Sequence, residues 1–210
     1  MVSNSWHKSF AVLCESEREG ITYQRRVKKR RSALAIIAPH GGGIEPGTSE
    51  IARAIAGFLF SYYTFDGLRQ ESNGLLHITS TLFDEPKCLQ LVDNSEIVIA
   101  IHGCAGEEKV IHVGGLHDEL KTRLINALLK IGFDTHLAGV NYAGTQLQNI
   151  CNRGRLGRGV QFEISEGLRR SMFKGLDRRG RKITTDVFRK FVTSVQQELK
   201  SAAKEMGPNL

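Results

Sequence analysis

Five short apolar runs punctuate the chain, at residues 34–38, 75–78, 97–101, 110–113 and 160–164. Runs this short, bounded by glycine, polar or basic residues, read as buried strands rather than helices. Between them the apolar period lengthens. A helix is predicted from Ser49 to Tyr62, behind an N-cap at Thr48 or Ser49 and with Glu50 in its first turn. A second is expected from His117 to Ile131, where Leu120, Leu124, Leu128 and Ile131 recur at helical spacing before Gly132. The third is the clearest: Val187, Phe188, Phe191, Val192, Val195 and Leu199 form one apolar stripe among Lys and Glu.

Strands alternating with helices predict an α/β protein with an open sheet flanked by helices. The runs at 97–101 and 110–113, joined by a short polar segment, resemble a hairpin, whereas other connections are long enough for crossovers. The expected sheet is therefore mixed. No repeat, low-complexity tract or Pro-rich linker interrupts the pattern, so residues 1–210 are expected to form a single domain.

Chemistry collects where two of these strands end. His40 follows one apolar run and His102 another, and each is succeeded at once by glycine. If the strands are parallel neighbours, both imidazoles reach the same sheet edge, where sites in such sheets gather. Glu45 arrives there from the glycine loop of Pro39-His-Gly-Gly-Gly-Ile-Glu45. Two histidines and one carboxylate, with a position left for water, are a catalytic zinc set. Gly41, Gly42 and Gly43 are expected to curl the backbone and keep bulk away from the ion. His77 could point into the same site. The glycines do not read as a phosphate cradle, since both nucleotide-binding glycine fingerprints are absent and Glu45 would repel a phosphate.

The run Val160-Gln-Phe-Glu-Ile-Ser165 alternates, with Phe162 and Ile164 on one face and Gln161, Glu163 and Ser165 on the other. A Glu in so apolar a strand needs a partner or a task. Glu163 could serve as general base to a metal-activated water, or pair with Arg153 or Arg155. Arg153, Arg155 and Arg158, on the glycine-rich approach to this strand, suit capture of substrate carboxylates or of a developing oxyanion.

Net charge sharpens the substrate class. The formal charge of +7 points to a polyanionic partner. Part of the excess lies in Arg25-Arg-Val-Lys-Lys-Arg-Arg31 and part in a late cluster that includes Arg169. Nucleic acid is one such partner, but the arginines lack interleaved aromatic stacking platforms. The four cysteines lie far apart and are expected to be buried free thiols. No apolar run approaches the roughly 20 residues that span a bilayer. The first residues carry no apolar leader, so a cytoplasmic protein is expected, with release by lysis or non-classical export as the route to any extracellular target.

Three segments together resemble the poly-γ-glutamate hydrolase family of bacilli and their bacteriophages: Pro39-His-Gly-Gly-Gly-Ile-Glu-Pro-Gly-Thr-Ser-Glu50, Ala100-Ile-His-Gly103, and Asn149-Ile-Cys-Asn-Arg-Gly-Arg155 with Gln161-Phe-Glu-Ile-Ser165. The resemblance implies a zinc peptidase of carboxypeptidase-like α/β architecture that cleaves γ-glutamyl amide bonds. It implies His40, Glu45 and His102 as zinc ligands, Glu163 as base and Arg155 as a carboxylate clamp, a role Arg153 fits equally. The polyanionic polymer is the expected partner of a monomer, with no nucleic-acid or membrane partner expected. The competing expectations are a zinc amidohydrolase of small N-acyl amino acids or cell-wall peptides, and a basic nucleic-acid-binding protein.

Overall fold

A strand such as Leu34-Ala-Ile-Ile-Ala38, apolar on both sides, has to lie between two covering layers. It does so in the computed structural model, which describes residues 7–207. Residues 1–6, on which the reading of a leader rests, lie outside that range. The helices are α1 (Phe10–Ser16), α2 (Thr48–Ala56), α3 (Pro86–Asp93), α4 (Asp118–Lys130), α5 (Glu166–Met172) and α6 (Asp186–Glu205). The strands are β1 (Tyr23–Lys28), β2 (Leu34–Gly42), β3 (Ser61–Gly67), β4 (Ile97–Cys104), β5 (Val110–Gly114), β6 (Asp134–Leu137) and β7 (Val160–Ser165). Among the described residues no helix is long and apolar enough to cross a membrane.

The strands form one seven-stranded mixed sheet in the order β1-β3-β2-β4-β7-β5-β6. β3, β2, β4 and β7 run parallel, β1 closes one edge antiparallel, and β5 with β6 runs antiparallel to β7. Period-two alternation divides the apolar residues into two cores. Ile36, Ile99, Phe162 and Ile164 meet α2, α4, α5 and α6 on one face. Ile37, Val98 and Phe65 meet α1 and α3 on the other. After β2 the chain crosses to β3 on one side, then returns to β4 on the other. The crevice at the ends of β2 and β4 is therefore a topological switch point, the usual seat of a site in open α/β sheets.

Three expectations change. The run 75–78 is not a strand: residues Asn73–Leu76 make a tight 3-10 turn, because Asn-Gly favours a turn there while Leu76 and Ile78 are drawn into the second core. The helix predicted to reach Tyr62 stops at Ala56, capped by Gly57 at φ +50°, and the β-prone Tyr-Tyr-Thr-Phe stretch becomes β3. The supposed hairpin does not form either. β7 lies between β4 and β5, burying Phe162 and Ile164, so β4 and β5 never pair. The cysteines are free, as expected, with Cys88, Cys104 and Cys151 buried.

Candidate metal centre and its cleft

The glycine loop after β2 is shaped by its neighbours. Its pairing with β3 breaks register between Ala38 and Gly41, and an irregularity of this kind re-aims the side chains around it. A Cβ on Gly41 would lie 1.8 Å from Ser49 Oγ, and one on Gly43 2.5 Å from the Asn73 amide. Gly42 sits at φ +64° against the Gly67 backbone. The glycines thus admit close neighbours from α2, β3 and the turn at Asn73. They do not line the cleft, contrary to the expectation that they clear space for an ion and substrate.

This loop brings His40 and Glu45 onto His102. His40 Nδ1 lies 3.1 Å from a Glu45 oxygen and 3.1 Å from His102 Nδ1. His102 Nδ1 is 3.6 Å from the other Glu45 oxygen. The Gly103 N–H donates to Glu45 at 2.9 Å, fixing the carboxylate between the rings. His40 Nε2 donates to the Ile78 carbonyl at 2.7 Å, so Nδ1 is the nitrogen turned toward Glu45 and His102. Two imidazole nitrogens and a carboxylate oxygen facing one another at such range call for a cation between them. Ligand atoms about 2.0–2.2 Å from a tetrahedral metal stand roughly 3.3 Å apart, so the donor set fits a divalent ion such as zinc. His77 stacks on His40 at a 3.9 Å centroid distance, and its Nε2 is 4.0 Å from Glu45. His40, Glu45 and His77 offer ligand atoms within 4.8 Å of one another. His102 is nevertheless the nearer third donor by both of its contacts.

Protonation follows from burial and these contacts. Burial works against ionisation of Glu45, yet His40 and His102 hold its carboxyl well below the usual carboxylate range. Burial opposes charge on His102, while the contact with Glu45 and the field of Glu163 raise its pKa. His77 is pushed down to about 3, first by burial and then by neighbouring His40. It is a neutral ring.

Glu163 stands beside His102 in the parallel register of β4 and β7, on the same face. Burial raises its carboxyl to about 7, with His102 opposing and Glu45 reinforcing the shift. Gln161, two residues earlier, holds Asn149 at 2.9 Å and leans to within 3.5 Å of Glu163. These groups line a cleft of about 730 Å³, to which residues 140–146 also contribute. There Tyr142 stacks on His112 at 5.4 Å.

The arginines expected to clamp substrate lie elsewhere. Arg155 donates to the Asp93 carbonyl and pairs with Glu96 at 3.4 Å, at the amino end of β4. Arg153 donates to the Phe83 carbonyl, and Arg158 lies beside His117 in a separate small hollow. None of the three lines the cleft. Their approach loop enters β7 from its amino end, about a strand length from Glu163, so sequence proximity misplaces them. Neither Arg153 nor Arg155 pairs with Glu163 in the contacts above. The arginine buried behind the site is Arg169, tied by three bonds to main-chain oxygens. The one sequence sign of it is the glycine after His102, against which it packs.

A mixed α/β sheet that gathers two imidazoles and two carboxylates at the carboxyl ends of its parallel strands defines the class of this protein. Residues 7–194 match the poly-gamma-glutamate hydrolase family, and the chain belongs to that family. UPF0714 protein YndL of Bacillus subtilis (strain 168) is 40% identical over 159 residues, which is 75% of this chain and 63% of YndL. The chain thus spans just under two thirds of that relative's length. A bacteriophage poly-gamma-glutamate hydrolase structure superposes with a TM-score of 0.93 at 29% identity, over 96% of this chain and all of that one. The zinc-free form of YndL superposes at 0.91 with 35% identity, over 95% and 99% of the two chains.

Proposed function

We propose that the protein is a zinc-dependent hydrolase of γ-glutamyl amide bonds, acting on poly-γ-glutamate. The observation that carries the reading is the meeting of His40 Nδ1, His102 Nδ1 and the Glu45 carboxylate within 3.1–3.6 Å, beside Glu163. Family membership supplies the substrate class, and the existence of a zinc-free form of YndL supports the choice of metal.

Zinc, held by His40, Glu45 and His102, would supply Lewis-acid polarisation of the scissile carbonyl and of water. The chain's own residues do the rest. Glu163, in register with His102 on the cleft face, accepts the proton of the attacking water and returns it to the leaving nitrogen. The Ile78 carbonyl holds His40 in the tautomer that presents Nδ1. Ser80 Oγ, 3.4 Å from His102 Nε2, does the same office for the second ring. Asn149 and Gln161 keep the Glu163 side of the cleft polar and ordered.

Substrate carboxylates meet hydroxyl and amide dipoles in the cleft, from Thr79, Ser80, Thr81, Asn141 and Gln146. The net charge of +7 draws a polyanion toward the molecule and loses that effect as salt rises. The test is the chain length of poly-γ-glutamate after incubation with purified protein, with and without a chelator. Rapid shortening that the chelator stops and Zn²⁺ restores is the expected result. No shortening by folded, Zn²⁺-loaded protein would remove the substrate assignment.

A further inference from the structure

Arg169 is 4% exposed, a cation buried at the carboxyl end of the sheet. It lies one turn into α5, which Ser165 starts by accepting the Leu168 N–H. From there the guanidinium reaches back over the strand ends. Its Nε donates to the Ile164 carbonyl at 2.9 Å, one terminal nitrogen to the Pro46 carbonyl at 2.7 Å, and the other to the Cys104 carbonyl at 3.0 Å. Each acceptor adjoins a site residue. Pro46 follows Glu45, Ile164 follows Glu163, and Cys104 is two residues beyond His102.

Gly103 lies flat against this guanidinium: a Cβ there would stand 2.6 Å from Arg169 Cζ. Gly103 is also the residue whose N–H holds Glu45. A side chain after His102 would therefore press on the guanidinium, which three carbonyls from separate segments hold in place. A rigid planar fork with five donors can satisfy acceptors in three directions; a lysine ammonium on a flexible stem cannot span them together.

We infer that Arg169 is a positioning residue: its fork pins the three backbone segments that carry Glu45, His102 and Glu163 at the spacing a divalent cation and a neighbouring base require. What those groups then do rests on the metal reading above; the clamp itself belongs to the metal-free chain.

The test compares wild type, Arg169→Lys, Gly103→Ala and the double variant. Amide hydrogen exchange is measured on metal-free protein, Zn²⁺ affinity by competition with a chromophoric chelator, and kcat and KM on poly-γ-glutamate. Arg169→Lys is expected to raise exchange in residues 44–48 and 103–105 about tenfold while leaving α6 unchanged. Zn²⁺ affinity should fall about 10- to 100-fold, the usual cost of losing an outer-shell partner. Activity should fall through kcat, with KM moving less than about threefold. Gly103→Ala should act the same way more weakly, and the double variant should fall short of the product of the two effects. Loop exchange and Zn²⁺ affinity within about twofold of wild type in Arg169→Lys would overturn the inference. So would exchange that rises equally in α6, or single effects that simply multiply. Should Arg169→Lys fail to fold, Gly103→Ala decides by the same ratio of loop to α6 exchange. If wild type binds no Zn²⁺, the metal reading falls while the exchange comparison still judges the clamp.

Discussion

β4 and β7 lie side by side from Ile99 to Cys104 and from Val160 to Ser165, yet their two ends are chemically unlike. At the carboxyl end, His102 and Glu163 face the cleft in register, Glu45 bridges two rings, and Arg169 is enclosed by carbonyls. At the amino end, Arg155 pairs with Glu96 where its side chain is 53% exposed. Both ends use arginine and glutamate. Water screens the pair at the amino end, where such contacts add at most about 1 kcal/mol. At the carboxyl end the charged groups are largely withdrawn from solvent and crowd one another, and pKa values move. Residue type alone does not separate a functional arginine from a solvated one; strand polarity and burial do.

The largest effect that would break this contrast is loss of a ligand. His40→Ala or His102→Ala is expected to abolish stoichiometric Zn²⁺ binding, measured by metal analysis after dialysis, and to reduce turnover by at least about a thousandfold. Retained zinc in both variants would dissolve the ligand set. Glu163→Gln should come next, keeping zinc and losing about 10²–10⁴-fold in kcat. Near-normal turnover would take the base role from Glu163.

The same substitution sharpens the electrostatic side. A carboxyl raised from 4.5 to about 7 holds, in the native state, a proton that the unfolded chain has already released. Stability of the metal-free protein therefore falls as pH rises from about 4.5 to about 7, and stays lower above that. Glu163→Gln removes this loss, so thermal melting at pH 8 should show the metal-free variant more stable by roughly 2–3 kcal/mol. At pH 4 the two should melt alike. A variant no more stable at pH 8 would mean that Glu163 is solvated like its counterparts at the other end. The smallest effect belongs to Arg155→Ala, with activity within about twofold and stability within about 0.5 kcal/mol of wild type. A large loss of kcat/KM there would erase the distinction between the ends.

Much of this was legible in the sequence, and unevenly so. That His40, His102 and Glu163 would meet at one sheet edge was readable because each is a polar residue where a buried strand ends or alternates, a local signal, and Glu45 lies on the loop that follows the first of these strands. Central strands and the α6 stripe were readable for the same reason. What escaped depends on contacts distant in sequence. The Ile78 carbonyl reaches His40 from 38 residues away, and it follows a turn that apolar content disguised as a strand. Arg169 meets Pro46 across 123 residues. Arg155 misled because it precedes Glu163 by eight residues, which in an extended strand separates rather than joins. β3 was hidden in a run of aromatic residues that also fits a helix continuing from α2.

The pairing of His102 with Glu163 also bears on how members of this family can change length. A one-residue insertion within β7 would turn Glu163 into the opposite core, and a two-residue insertion would keep its face but carry it about 7 Å along the strand. Neither shift leaves a proton acceptor beside the rings. The exposed tip at residues 155–158, with Gly157 at φ +65°, carries no such constraint. Extra residues should accumulate there over evolutionary time, while the six residues of β7 keep their count.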